Sequence, residues 1–250
     1  MLNHHRYGNG RPLVLQHGFL GGGGYWAPQL PTFGRHFDVI APDLPGFAGS
    51  AHIEAPTTIK GFSSALVALL DELNVEQSAL VGHSMGGMIA LQTALDHPQR
   101  IERLVLYGSA CTGNLPKRFE TFDTSIARLR DDGVEACAER IVPTWFVEGD
   151  KAPNFAMCHE AGRGTSVDSA VRALGALREW DVYERLGELR MPVLVICGDR
   201  DRSTAPDESY RLHEAIAGSQ LCVLPGCAHN VHLERPELFA AIVLEFLSAS

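Results

Sequence analysis

Leu80-Val81-Gly82-His83-Ser84-Met85-Gly86-Gly87-Met88-Ile89-Ala90 is an apolar run interrupted by a serine between glycines, and its reading decides the fold. It reads as a strand, a sharp turn and a helix, with Ser84 on the turn. Glycine at 82 and 86 fits a strand-to-helix turn too tight for side chains on its flanks. Such a turn lifts the Ser84 hydroxyl beside the start of the next helix, where backbone N–H groups lack partners. A lone Gly-x-Ser-x-Gly also arises by chance, so its weight depends on what surrounds it.

Upstream, residues 12–16 form a short apolar run that ends at His17-Gly18-Phe19-Leu20 and the glycines Gly21 to Gly24. A phosphate loop is a weak reading of these glycines, because no Gly-Lys-Ser/Thr follows and no acidic residue sits at dinucleotide spacing. A loop that passes close to something and offers its amides is the better one. Trp26 begins a short helical stretch through Leu30 and Phe33. Residues 37–41 are the next strand, with the turn-rich Pro42-Asp43-Leu44-Pro45-Gly46 after it. From Phe62 to Leu73 apolar residues recur at three and four, an amphipathic helix, and residues 78–81 feed the serine turn.

Downstream, the helix after Ser84 stops at His97-Pro98, and Ile101 to Tyr107 is another buried strand. Strands alternating with helices predict a mainly parallel sheet with helices on both faces, an α/β fold. The alternation then stops. Residues 112–179 contain no convincing strand, while Phe119, Phe122, Ile126 and Leu129 share one helical face, as do Val167, Val171, Leu174 and Leu177. This segment is expected to be a helical cap inserted into a core of residues 1–111 and 180–250. Residues 191–197 resume the sheet and end at Gly198-Asp199-Arg200-Asp201. Pro206 opens a helix, residues 219–224 are the last strand, Gly226-Cys227-Ala228-His229 follows, and Pro236 opens a closing helix.

The composition narrows the partners. With 250 residues, 45% of them hydrophobic, the chain can bury roughly 70–75% of its unfolded surface, enough for a closed site. A net charge of −9 with no basic run argues against nucleic acid or an anionic membrane. The start lacks the apolar core of a signal peptide and no run reaches membrane-spanning length, so a cytoplasmic location is expected. Six scattered cysteines without a Cys-x-x-Cys pair indicate reduced thiols, with neither a zinc site nor a disulfide framework. A small-molecule partner is the default; a monomer and a homodimer are equally open.

In parallel sheets the working residues collect where strands end. Four loops leave such ends here: residues 17–19, 82–86, 198–201 and 226–229. They carry donor amides, a hydroxyl, carboxylates and an imidazole. A serine hydroxyl needs a base to take its proton, histidine does that best near neutral pH, and a carboxylate fixes the histidine's tautomer. Ser84, then an aspartate at 199 or 201, then His229 supply these in a chain order that belongs to one fold.

On these residues the chain resembles an α/β-hydrolase from end to end. The matching pieces are His17-Gly18-Phe19 with Trp26, Asp43-Leu44-Pro45-Gly46, Gly82-His83-Ser84-Met85-Gly86-Gly87, Gly198-Asp199-Arg200-Asp201, and His229 with Leu233-Glu234-Arg235-Pro236. The resemblance implies Ser84 as nucleophile, His229 as base, Asp201 as its carboxylate, the Phe19 and Met85 amides as oxyanion hole, and no cofactor or metal. Ala48 departs from it, standing where relatives usually carry a second glycine. The serine turn and Pro143-Thr144-Trp145-Phe146 resemble the 3-oxoadipate enol-lactonase group, which implies hydrolysis of a small acyl substrate, an ester or lactone. Esterases, perhydrolases and C–C bond hydrolases share the turn, and a ligand-binding receptor can use the same fold.

Other residues have plainer readings. His232 rivals His229 weakly and Asp123 is a remote acid. His83 and His17 read as structural and Asp43 as a loop brace. Trp26, Trp145 and Phe146 are core or acyl-pocket residues. An arginine from Arg118, Arg128 or Arg163 reaching the pocket would mark a carboxylate-bearing substrate, and an apolar lining a simple ester.

Overall fold

In the computed structural model, which describes residues 1–249, seven strands form one sheet in the order β1-β3-β2-β4-β5-β6-β7. They are β1 (His4–Gly8), β2 (Arg11–Gln16), β3 (Phe37–Pro42), β4 (Ser78–His83), β5 (Ile101–Tyr107), β6 (Val193–Gly198) and β7 (Gln220–Leu224). Only β1 runs antiparallel, against β3. This edge strand escapes sequence reading because it is short, polar and mostly exposed, so no alternation marks it. The remaining strands are parallel neighbours.

The helices are α1 (Leu30–Phe33), α2 (Ile59–Glu72), α3 (Met85–Asp96), α4 (Phe122–Ile141), α5 (Phe155–Arg163), α6 (Val167–Arg178), α7 (Pro206–Ala215), α8 (Val231–Glu234) and α9 (Pro236–Ser248). None is long and apolar enough to cross a membrane. Successive strand residues point to opposite faces, which divides the core in two. Leu13, Leu15, Val39, Val81, Val105 and Ile196 pack with Trp26 and with Phe239 and Val243 of α9. Val14, Ile40, Leu80, Leu104, Leu106 and Val195 pack with α2, α3 and the segment between β5 and β6.

That segment holds α4, α5 and α6, with one isolated bridge, Thr112 to Asp181, where it leaves and rejoins the sheet. α4 breaks at Gly133, whose φ of 84° is outside helical geometry. Phe119 does not share the α4 face with Phe122. The Thr121 side chain accepts from the Thr124 N–H and starts the helix there, while the Phe119 N–H donates to the Arg202 carbonyl, 3.0 Å away. The loop before α4 is therefore tied to the loop after β6.

After β2 the chain crosses to β3 on one side and later to β4 on the other. Crevices in parallel sheets form at such a reversal. Gln16 is in register with Gly82, so the loops leaving β2 and β4 emerge side by side.

Candidate active site

Ser84 has φ 56° and ψ −123°, a conformation that L-residues rarely adopt and that costs about 1–3 kcal/mol. The surroundings enforce it. A Cβ on Gly82 would drive into the Gly86 carbonyl, and one on Gly86 into the carbonyls of Gln16 and His17. The Ser84 N–H donates to the Tyr107 carbonyl at 2.8 Å, and the Ser109 hydroxyl donates to the Ser84 carbonyl at 2.8 Å. Neither Ser109 nor Gly108 stands out in the sequence. Gly108, at φ 52°, lies against the His229 ring and the Asp201 carboxylate, where a Cβ would sit 3.3 Å from His229 Nδ1.

The loop after β2 is pressed onto this turn. A Cβ on Gly18 would lie 2.8 Å from that of Ser84 and 3.4 Å from the Met85 nitrogen. The Phe19 and Met85 N–H groups have no hydrogen-bond partner among the described residues. His17 holds the loop from below: its Nε2 accepts from the Leu44 N–H at 2.9 Å, which leaves Nδ1–H to donate to the Gly18 carbonyl at 2.8 Å. Asp43 braces the neighbouring loops, accepting from Gly23 N–H at 2.6 Å, Gly49 N–H at 3.0 Å and Asn3 Nδ2 at 2.5 Å. Ala48 takes a left-handed φ of 45°. The loop thus keeps the path a glycine would follow, at a cost of roughly 1–2 kcal/mol.

The two aspartates after β6 have different partners. Asp201 is buried, and its Oδ2 lies 2.7 Å from His229 Nδ1 while Oδ1 accepts from the Ser203 and Thr204 N–H groups at 2.8 and 2.9 Å. Asp199 Oδ1 instead accepts from Gly226 N–H at 2.7 Å and Cys227 N–H at 3.3 Å, bracing the loop that carries His229. Asp123 lies far from both, exposed on α4 and paired with Arg178 at 2.5 Å. No hydrogen bond joins Ser84 to His229 among the described residues, although both line one cavity.

Beneath His229 lies a buried layer. His83 packs its ring 4.6 Å from that of His229 and contacts the His229 carbonyl through Nε2 at 3.1 Å. The Tyr107 hydroxyl donates to the same carbonyl at 2.8 Å and lies 3.1 Å from His232 Nδ1. His232 stacks on Trp26, 4.7 Å between ring centres, and does not reach Asp201. Burial pushes His17 down to about 4 and His232 down to about 3, and holds His83 well below its ordinary value, with the neighbouring His229 and His232 adding to the effect.

These three histidines are neutral in the folded protein and titrate freely once unfolded, near pH 6.5. Their contribution to stability is complete above that pH and is lost as the pH falls towards 4, because the unfolded chain binds the extra protons. With three protons taken up, the unfolding free energy is expected to drop by up to about 4 kcal/mol per pH unit between pH 6 and 5. Urea titrations across that range check it. A slope under about 1 kcal/mol per unit would mean that these rings are protonated in the native state.

The cavity above Ser84 is narrow, about 40 Å³, room for roughly three water molecules. The sheet side contributes Gly18, Phe19, Met85 and His229, and the inserted segment Phe122, Ile141, Trp145, Leu174 and Leu177. Of the three aromatics with pocket potential, only Trp145 lines it, 6.2 Å from the His229 ring. Trp26 is fully buried beneath the sheet and Phe146 packs in the core. Arg118 also lines the cavity. Arg128 pairs with Glu120, and Arg163 with Glu135 and Glu160. The six cysteines are free thiols, and no cluster of ligating side chains is placed to hold a metal among the described residues.

Known proteins share this architecture. A family model described as "alpha/beta hydrolase fold" matches residues 11–135 and 147–236. Over 242 residues the chain is 32% identical to a protein of Agrobacterium fabrum carrying the provisional name carbamate hydrolase RutD, covering 94% of this chain and 92% of that one. Among solved structures, the enol-lactonase of Burkholderia xenovorans LB400 superposes with a TM-score of 0.92 at 27% identity, covering 99% of this chain and 96% of that one. A thermophilic esterase of Thermogutta terrifontis does so with a TM-score of 0.88 at 28% identity, covering 98% and 92%.

Proposed function

This chain belongs to the α/β-hydrolase fold family, and we propose from that premise that it is a serine hydrolase cleaving a small carboxylic ester or lactone through an acyl-enzyme. The observation that carries the reading is the buried 2.7 Å contact between His229 Nδ1 and Asp201, facing the strained Ser84 across one cavity. With a carboxylate on Nδ1–H, His229 keeps Nε2 free to accept a proton.

In the first half-reaction Ser84 Oγ attacks the carbonyl carbon and its proton passes to His229 Nε2. The new imidazolium is stabilised by Asp201, and the carbonyl electrons move onto an oxyanion that receives the Phe19 and Met85 N–H groups. Collapse expels the alcohol, or opens the lactone ring, with His229 returning the proton. Water then enters and gives a proton to His229 as its hydroxide adds to the acyl carbon, and collapse releases the acid while His229 returns that proton to Ser84 Oγ. The Ser84–His229 hydrogen bond forms with substrate in place, as such contacts often tighten only then. The helical segment 112–179 acts as a cap: in a cavity of about 40 Å³ it admits only a short acyl group unless it opens.

A second reading is carbamate hydrolysis, favoured by the relative at 32% identity that carries that name. The same residues would attack a carbonyl deactivated by nitrogen donation. A panel of p-nitrophenyl acetate and butyrate, a short lactone, and a p-nitrophenyl N-alkylcarbamate separates the two. The expected result is a kcat/KM for ester or lactone at least about 100-fold above the carbamate, the range in which pocket contacts discriminate. Faster multiple turnover of the carbamate reverses the assignment. Release of one equivalent of product followed by arrest points to a ligand-binding receptor.

A further inference from the structure

No hydrogen bond joins the Ser84 and His229 side chains among the described residues, so their relative placement depends on what holds each from behind. The His229 carbonyl is gripped by two buried side chains that the reaction scheme leaves unused. The Tyr107 hydroxyl donates to it at 2.8 Å and His83 Nε2 at 3.1 Å. A carbonyl oxygen only accepts, so the His83 ring carries its proton on Nε2. The His83 ring has both partners as neighbours, 4.5 Å from the ring of Tyr107 and 4.6 Å from that of His229. Burial holds the Tyr107 hydroxyl well above its ordinary range, so it keeps the proton it donates.

Both donors are also attached to the nucleophile. His83 precedes Ser84 in the chain. Tyr107 pairs with His83 in the β4–β5 register, and its carbonyl accepts from the Ser84 N–H at 2.8 Å. Tyr107 therefore holds Ser84 with its backbone and His229 with its side chain. Each path from the backbone of one residue to that of the other passes through a single intervening residue.

The far side of the same peptide is held as well. The unit between His229 and Asn230 is planar, and its N–H donates to the Trp145 carbonyl at 3.0 Å. With the oxygen fixed to β4 and β5 and the nitrogen to the segment above the cavity, that plane cannot turn about the chain. The Cα–Cβ bond of His229 leaves from the edge of the plane, so its direction is set too. Asp201 holds the ring at Nδ1. A side chain needs its root fixed as well as its tip before Nε2 has one position.

We propose that Tyr107 and His83 are positioning residues, two donors on one acceptor that fix the backbone of His229 and so hold Nε2 within reach of the Ser84 hydroxyl. This rests on the serine-hydrolase reading above and names what sets its nucleophile-to-base geometry. Because the donors share an acceptor, losing either leaves the other in place. Losing both frees the carbonyl.

The test uses Tyr107→Phe, which deletes only the hydroxyl, and His83→Met, which keeps a side chain but no donor. Rates with p-nitrophenyl acetate are taken per mole of folded protein, measured by urea melts, because the His232 N–H also loses its acceptor in Tyr107→Phe. Each single variant should lose about threefold in kcat. The double variant should lose about 100-fold, the cost of misplacing a reacting group by about 1 Å and well beyond the product of the singles. KM should stay within about threefold throughout. His83 also lines the cavity, so a variant of similar size isolates the donor: Tyr107→Phe with His83→Gln, whose amide can donate to the carbonyl, should return to the level of Tyr107→Phe alone. Ser63→Ala removes a buried bond to Thr93 outside the cavity lining and should lower stability with kcat unchanged. A double variant at the product of the singles, a glutamine no better than methionine, or an equal loss in Ser63→Ala overturns the proposal.

The proton resonance of His229 Nδ1–H, in its bond to Asp201, gives a readout without turnover. It should be sharp in wild type and in Tyr107→Phe with His83→Gln, and broadened by exchange with water in Tyr107→Phe with His83→Met. That pattern in a protein that hydrolyses no ester upholds the positioning while refuting the hydrolase reading. An active esterase whose resonance is the same in every variant refutes the positioning alone. Should the double variant fail to fold, Tyr107→Phe decides: kcat per folded molecule equal to wild type overturns the proposal, and a loss at constant KM upholds it.

Discussion

Ser84→Ala is expected to lower kcat for a short p-nitrophenyl ester by about five to six orders of magnitude, the loss typical of removing a serine nucleophile from a working triad. The size follows from what remains. Without Oγ, the Phe19 and Met85 amides still polarise a bound carbonyl, but water must attack without a covalent intermediate. The substitution leaves the turn intact, since alanine must accept the same φ of 56°. Ser84→Gly separates strain from chemistry. It should be as inactive as Ser84→Ala yet more stable by about 1 kcal/mol, because glycine tolerates that backbone without strain. Stopped-flow assays with urea melts of both variants check the pair. Activity above about a hundredth of wild type in either would remove Ser84 from the mechanism.

The parts legible in the sequence are those governed by short-range sterics and period. The strand-turn-helix at Ser84 was readable because its geometry excludes side chains at 82 and 86, and the structure shows what they would strike. Residues 12–16 and 101–107 are readable as buried strands because both faces of the sheet are covered, which makes such runs continuously apolar; which residue faces which side is not. Illegible were features with no local signature. β1 joins the sheet through backbone hydrogen bonds while presenting polar side chains. Gly108 and Ser109 look like any strand ending, and only the folding of β5 between β4 and β6 brings them to Ser84 and to the His229–Asp201 pair. Arg118 was one of three arginines of equal standing. What singles it out is that it lines the cavity while Arg128 and Arg163 pair with acids elsewhere, a fact of tertiary contact. The choice between Asp199 and Asp201 belongs here as well, since two carboxylates two residues apart beyond a strand end have no periodic rule to tell them apart.

Their substitution is expected to give opposite outcomes: Asp201→Asn should reduce kcat/KM by about 10⁴-fold, the cost of a wrong histidine tautomer, and Asp199→Asn by less than about tenfold. At position 201 the Ser203 and Thr204 N–H groups demand an acceptor where Oδ1 now lies. The substituted amide satisfies them with its oxygen, which turns its NH₂ towards His229 Nδ1, 2.7 Å from the present Oδ2. Two donors cannot face each other, so Nδ1 gives up its proton and becomes the acceptor. The imidazole proton then sits on Nε2, where it can no longer receive one from Ser84, and the imidazolium would form beside a neutral group. At position 199 only Oδ1 is used, accepting from Gly226 and Cys227, and an amide oxygen accepts in the same way. The loop keeps its shape and His229 its place. The cost is a weaker, uncharged acceptor, roughly 1 kcal/mol of stability. Steady-state kinetics of the two variants, with the pH dependence of kcat/KM, decide the assignment. If Asp199→Asn is inactive while Asp201→Asn turns over normally, the carboxylate that serves His229 during the reaction is Asp199, and the loop must rearrange to deliver it.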